Sequence, residues 1–251
     1  MSDRLIYWSS TTSSTNDQAL SSIGAPEGAV WLTDHQTAGR GRRTEAGPRA
    51  WLSAPGASIL MSMRFCPRLA PEATPALTLA AAVGVAEALR AATGVAVGLK
   101  WPNDLLVGGR KLGGILTEGR LDGESMIVVV GVGINVNAEA GALPPSLAGQ
   151  ATSLQAEAGR PLDRLALVGQ IAAALEASVA AVVDHGGLGG VRSRWEALSV
   201  MAGRRVRFQA PGAAGEAGEA MGLSEAGGLL VRRQSGAVVE VCAGEVVFEE
   251  A

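Results

Sequence analysis

The chain has 251 residues, 47% of them hydrophobic and 18% charged, with a formal net charge of -3. This length buries a sizeable core, as one large domain or a large and a small one, and the composition excludes a disordered chain. The longest apolar runs meet Glu or Arg before the roughly 20 residues of a membrane span, and no broad basic face marks a nucleic-acid binder.

The opening MSDRLIYWSS lacks the features of a secretory signal, and Cys66 and Cys242 stand far apart with no CxxC or Cys/His spacing. A reducing cytoplasm is therefore the expected compartment, with neither a disulfide framework nor a zinc site. RLIYW reads as a short strand, and the hydroxyl and Asx residues of SSTTSSTNDQAL suit a helix cap. A second strand, GAVWLTDHQ, leads into HQTAGRGRR, residues 35–43. Gly39 and Gly41 let the backbone come close to a ligand there, and Arg40, Arg42 and Arg43 suit an anion, although a solvated basic turn has the same composition. His35 and His185 have no partner at a spacing that would make either a catalytic base.

WLSAPGASILMSMRF ends in alternating apolar residues and predicts a further strand. Leu79, Val83, Ala86 and Leu89 fall on one face of a helix whose last turn carries Arg90, at the negative end of its dipole. Glycines then divide residues 97–137 into strand, turn, strand, polar hairpin and a wholly apolar strand, MIVVVGVGINV, which could be an edge for side-by-side pairing or an interior strand. Leu165, Val168, Ile171, Leu175, Val179 and Val182 predict a second long helix. From Met201 four short alternating runs between Gly-rich turns suit a small β-barrel, which divides the chain into residues 1–200 and 201–251.

The segment KWPNDLLVGGRKLGGILTE gathers Lys100, Trp101, Asn103, Asp104 and Lys111. Pro102 fixes a turn, Asn103 can bond a nucleotide, Asp104 can hold a divalent metal or its water shell, and Lys111 can meet an oxyanion. Gly113 and Gly114 would let the next strand lie against a ligand. Trp101 as core and Asn103-Asp104 as a turn pair are the structural alternatives.

Five stretches taken together resemble the biotin-protein ligases: SSTN (13–16), QTAGRGRR (36–43), KWPNDLL (100–106), KLGGILTE (111–118) and GVGINVN (131–137). The resemblance implies an α+β fold, in which a mixed β-sheet catalytic domain with helices on one side is followed by an SH3-like β-barrel. It also implies the reaction: biotin and ATP give biotinyl-5'-AMP and pyrophosphate, and a lysine of a biotin carboxyl carrier protein, such as that of acetyl-CoA carboxylase, takes the biotinyl group.

Carried over by motif, Ser14, Thr15, Asn16, Gln36, Gly39, Gly41 and Gly114 would hold biotin. Arg40, Arg42 and Lys111 would bring its carboxylate and the α-phosphate together. Arg42, Arg49, Trp51, Asn103, Asp104, Lys111 and Asn135 would line the ATP side, with Trp51 stacking on adenine and Asp104 favouring Mg2+. In the family the arginine-glycine run leads at once into Gly, Arg, a variable residue and Trp; here TEAGPRAW, with Glu45, intervenes, and Arg49 takes the later arginine's place. Such a loop is expected to close over the adenylate. The biotin motif begins so early that no room is expected for the DNA-binding domain of repressor members. A lipoate-protein ligase-like acyltransferase is the nearest rival, while cysteine-dependent transferases need a thiol that Cys66 and Cys242 do not place. A homodimer is possible, and neither DNA nor membrane is an expected partner.

Overall fold

The computed structural model describes residues 4–44, 47–123, 125–139, 149–209 and 215–249, so Glu45 of the expected insertion lies outside it, as do the side chains of Arg43, Thr44 and Pro48. A seven-stranded mixed sheet comprises β1 (Ile6–Thr12), β2 (Val30–Gln36), β5 (Ser58–Phe65), β6 (Gly98–Lys100), β7 (Asp104–Val107), β8 (Arg110–Asp122) and β9 (Ser125–Asn135). The order across it is β1-β2-β5-β9-β8-β7-β6. β1 and β2 run parallel, joined through α1 (Thr15–Ser21), and the other neighbours are antiparallel. The apolar β9 lies between β5 and β8, which settles its alternative: it is an interior strand.

Alternation along the central strands makes the sheet two-sided. Ile59, Met61, Met63 and Phe65 of β5 and Val128, Val130, Val132 and Ile134 of β9 enter the main core with α2 (Thr74–Thr93) and α4 (Arg164–His185). The intervening positions face the other way, and there β5 and β9 carry Ser58, Ser62, Gly131, Gly133 and Asn135. Trp31, Ile127 and Val129 on that face pack on Ala19 of α1 in a separate small cluster. Helices are thus not confined to one side, because α1 covers part of the polar face. β5 is buried along its whole length rather than alternately, since both faces are covered.

α2 begins with Pro near its first position and stops at Gly94, whose φ of 74° few other residues adopt. Arg90 in its last turn donates Nε to the Val97 carbonyl at 2.6 Å, a direct bond to the following strand in addition to its dipole position. α4 starts at Asp163, whose carboxylate accepts from the backbone N-H groups of Leu165 and Ala166. Both helices are long and apolar enough to cross a membrane by length and composition. Their apolar faces are the core of this fold, with Leu77, Leu89, Ile171, Leu175 and Val182 excluded from solvent. Leu165 departs from the expected apolar face: it is 71% exposed. Two short helices have no counterpart in the sequence reading, α3 (Leu154–Ala158) and α5 (Gly189–Leu198).

The C-terminal region is a five-stranded antiparallel sheet in the order β13-β12-β11-β10-β14, which is consistent with an SH3-like fold. Its strands are β10 (Arg205–Gln209), β11 (Glu216–Leu223), β12 (Leu229–Arg233), β13 (Val238–Val241) and β14 (Glu245–Phe248). β11, EAGEAMGL, is the strand that four alternating runs do not foresee, because Gly and Glu hide its pattern. Val206, Phe208, Leu229, Val231 and Val246 join the same continuous cluster as the main core. Trp101 strengthens the junction: it is buried, and its indole N-H donates to the Gly227 carbonyl at 3.0 Å.

Candidate active site

The polar face of the sheet carries two adjoining cross-strand rows, each centred on a glycine of β9. In one, Gly131 is flanked by Ser62 and Leu116; in the next, Gly133 is flanked by Leu60 and Gly114. Above Gly131 sits Asn16, so close that a Cβ on this glycine would lie 2.3 Å from Asn16 Oδ1. Above Gly133 lies the Trp51 indole, 2.9 Å from where a Cβ would be. Each glycine is thus the seat of a side chain that arrives from another element.

Around Asn16 the residues of SSTN and QTAGRG converge. Ser14 is buried at the N-cap of α1 without making a side-chain cap bond. Thr15 donates its backbone N-H to Gln36 Oε1 at 2.8 Å and its hydroxyl to the same oxygen at 3.2 Å. The Ser62 hydroxyl lies 2.7 Å from Thr15 Oγ1 and 2.5 Å from Asn16 Oδ1. Asn16 Nδ2 donates to Glu118 Oε2 at 2.6 Å and to the Leu116 carbonyl at 3.3 Å. Gly39 is hemmed in by Gln36 Nε2 and the Trp51 carbonyl, each 2.9 Å from its would-be Cβ, and its own carbonyl accepts from the Trp51 N-H at 2.8 Å.

Arg40 enters the same network. It forms a bidentate pair with Asp17, at 2.7 and 3.0 Å, and bonds Glu118 at 2.9 Å. The hydrogen bond to Asp17, then that to Glu118, raise its pKa beyond the usual arginine value against the opposing effect of burial. One cation therefore faces two carboxylates, and in this arrangement Arg40 is not in the cationic group that contains Lys111. Within this segment β3 (Arg40–Thr44) and β4 (Gly47–Ala50) pair antiparallel as the two arms of a hairpin.

The second group lies where the hairpin, the β7–β8 turn and the C-terminal sheet meet. Lys111 Nζ is 2.6 Å from Asp104 Oδ1, and Gly114 lies beneath them. Arg42 donates to the Gly244 carbonyl at 2.6 Å and stands 6.0 Å from the centre of the Trp101 ring. Arg49 is ion-paired with Glu245. Burial lowers the pKa of Arg42 and of Lys100, with Asp104 the first electrostatic influence opposing that in each case. Arg42, Arg49, Lys100 and Lys111 thus surround Asp104 and Glu245, leaving an excess of positive charge in a partly desolvated place.

Asn103 turns its amide inward to the Ile115 carbonyl at 2.7 Å, and Asn135 is buried with its amide on the Thr152 carbonyl at 3.1 Å. Each fixes a turn beside the site in this structure. Among the described residues no cluster of three His, Cys, Asp or Glu side chains could enclose a metal, so Asp104 offers a single carboxylate. His185 bonds its own helix carbonyl at Ala181, away from both groups. An apolar groove of about 420 Å³ between β1 and α4, lined by Ile6, Trp8, Leu165 and others, is also remote and lacks converging polar groups. Asp17, Ser62, Lys100, Glu118, Gly131, Gly133 and Glu245 were not assigned roles from sequence. Lys100, Glu118 and the two glycines lie inside the recognised stretches, while Ser62 shows only as a hydroxyl within an apolar strand.

Comparison with known proteins gives a consistent result. The model of the biotin/lipoate A/B protein ligase family matches residues 5–135. The bifunctional ligase/repressor BirA of Bacillus spizizenii is 36% identical over 239 residues, 94% of this chain and 71% of that protein. The biotin–acetyl-CoA-carboxylase ligase of Paracoccus denitrificans is 33% identical over 243 residues, 94% of this chain and 98% of that one. Among solved structures, the biotin protein ligase of Aquifex aeolicus in complex with biotin and ATP superposes with a TM-score of 0.83 at 27% identity, covering 98% of this chain and 99% of that chain.

Proposed function

This chain belongs to the biotin/lipoate A/B protein ligase family, and from that premise we infer how its site works. It is an ATP-dependent biotin-protein ligase: it activates biotin as biotinyl-5'-AMP with loss of pyrophosphate, then transfers the biotinyl group to a lysine of a carrier protein. The observation that carries the reading of the site is its polarity. A uniformly polar, nearly saturated network around Asn16 lies at one end, and Lys111 with its neighbouring cations lies at the other. Gly114 and Glu118 are four residues apart on β8, about 13 Å of strand.

Biotin has the matching asymmetry, with an uncharged cyclic urea at one end and a carboxylate at the other. On this reading Ser14, Thr15, Asn16, Gln36 and Gly39 hold the urea, and Gly41 and Gly114 leave space along the chain of the acid. Arg42 and Lys111 offset the repulsion between carboxylate and α-phosphate, and Lys111 stabilises charge as the carboxylate oxygen attacks phosphorus. Arg40 joins them only by exchanging its bonds to Asp17 and Glu118. Trp51 offers the adenine a stacking face, Arg49 the phosphates a second cation, and Asn103 and Asn135 shape the nucleotide side. No enzyme nucleophile is needed, because the acid itself attacks.

Mg2+ accompanying the triphosphate fits a single protein carboxylate, since this ion usually keeps water and phosphate oxygens as its other ligands. Asp104 would hold it, and the ion would offset charge on the departing pyrophosphate. The carrier is taken to be a biotin carboxyl carrier domain of a biotin-dependent carboxylase, and residues 1–200 and 201–251 are taken as catalytic and SH3-like domains. A lipoate ligase activity is the less favoured reading, because a dithiolane does not use a site so rich in oriented amides and hydroxyls. Incubation with ATP, Mg2+, biotin and such a carrier domain should add one biotinyl group by intact-mass measurement. No addition, with lipoate transferred instead, would overturn the reading.

A further inference from the structure

Glu118 stands between the two halves of the polar network. Its Oε2 accepts from Asn16 Nδ2 at 2.6 Å and from Arg40 at 2.9 Å. Asn16 is 4% exposed, and nearly all of its hydrogen-bonding capacity is committed. A carboxamide has two N-H donors and two lone pairs on oxygen. The donors go to Glu118 and the Leu116 carbonyl, and one lone pair goes to the Ser62 hydroxyl. What remains is one lone pair on Oδ1.

The carboxylate also decides which end of the amide faces it. An inverted Asn16 would set Oδ1 against a negative oxygen in a buried position, where such repulsion is poorly screened. Leu116 reinforces the same sense, because its carbonyl likewise accepts only. Gly131 completes the arrangement by leaving room for Oδ1, which a Cβ would approach to 2.3 Å.

We propose that Glu118 is a specificity-determining positioning residue: by binding the amide end of Asn16 it makes that side chain an acceptor only. The site then selects an acid whose head carries an N-H donor, a cyclic urea, over one whose head has none, such as a dithiolane or a plain alkyl chain. With Asp17, Glu118 also neutralises Arg40, so that this guanidinium does not compete for the carboxylate of the acid. The inference deepens the biotin-ligase reading and rests on it.

Two variants of the full chain test it. Glu118→Leu removes the acceptor, and Glu118→Gln keeps the size but leaves Asn16 free to invert. Biotin-dependent pyrophosphate release should show the KM for biotin raised about ten-fold or more by Glu118→Leu and less by Glu118→Gln. The KM for ATP should stay within about two-fold of wild type in both. Desthiobiotin, which keeps the urea, should weaken in parallel with biotin, whereas inhibition by lipoate should be unchanged or stronger. A biotin KM within about two-fold of wild type for both variants, or an equal loss for biotin, lipoate and ATP, would overturn the assignment in an active enzyme. A wild-type protein without biotin-dependent pyrophosphate release would remove the ligase reading itself, and this assignment with it.

Discussion

Lys111 holds Asp104 across the β7–β8 turn, its Nζ 2.6 Å from the carboxylate, while Arg42 and Lys100 act on the same carboxylate through space. The lysine is therefore redundant for neutralising Asp104 but not for reaching an anion above Gly114. Lys111→Ala should slow pyrophosphate release about 10²- to 10³-fold, the usual effect of removing one donor to a developing charge. Stability should change by no more than about 1 kcal/mol, since the lysine side chain is 39% exposed and such pairs contribute little. Single-turnover kinetics and thermal melting of the same preparation check both. Undiminished pyrophosphate release would remove Lys111 from the chemistry.

The hairpin of Arg40–Ala50 is tied to the turn before β14 by Arg42 on the Gly244 carbonyl and by the Arg49–Glu245 ion pair. Both ends of that ion pair are well exposed, so Glu245→Ala should alter global stability by less than about 1 kcal/mol. Its effect should be local: faster amide hydrogen exchange in residues 40–44 and earlier proteolysis there, both suppressed again by biotin plus ATP. Exchange equal to wild type in the free protein would show that the Arg49–Glu245 ion pair does not order the hairpin.

Much of this was legible in the sequence because the strands announce themselves through β-branched runs and the loops through glycine. The site motifs also name Thr15, Asn16 and Gln36, which the fold gathers at one end of the site, and Lys111, which it sets at the other. What escaped depends on long-range pairing. Ser62 matters because it lies one strand away from Gly131, and Glu245 because a turn near the C-terminus meets a hairpin some 200 residues earlier. Arg40 carried the same signal as Arg42 within GRGRR, and only the registry of α1 and β8 gives it two carboxylate partners. β11 was hidden for a different reason: in EAGEAMGL its buried positions are Gly, Ala and Leu, too weak an alternation to read.

Lys100 supplies a pH dependence. Burial holds its ammonium below the usual lysine range, mainly through desolvation. Below that lowered value the lysine is charged in both folded and unfolded chains, and the fold bears the desolvation cost. As pH rises through it, the folded chain releases the proton while the unfolded lysine keeps its own, so this contribution to stability increases until about pH 10.4. Lys100→Met removes the effect. The stability of wild type relative to that variant should therefore rise between neutral pH and about pH 10 in urea titrations. A gap that stays constant or moves the other way would refute the buried ammonium.

Gly131 and Gly133 are two residues apart on one face of β9, yet they seat different side chains, Asn16 and the Trp51 indole. Neither has a backbone conformation reserved for glycine, so alanine at either position is acceptable to the strand itself. The damage comes from the added methyl, 2.3 Å from Asn16 Oδ1 in one case and 2.9 Å from the indole in the other. Gly131→Ala must displace a carboxamide that is already bonded at both ends, whereas Gly133→Ala need only lift a ring. If Asn16 meets biotin and Trp51 meets adenine, the two variants should diverge. Gly131→Ala should raise the KM for biotin by about ten-fold or more, and Gly133→Ala should raise that for ATP, with the other constant nearly unchanged in each. A tryptophan emission shift in Gly133→Ala alone would report the movement of the indole. Equal effects on both substrates from either variant would mean that the two rows of the sheet face do not separate the acid from the nucleotide.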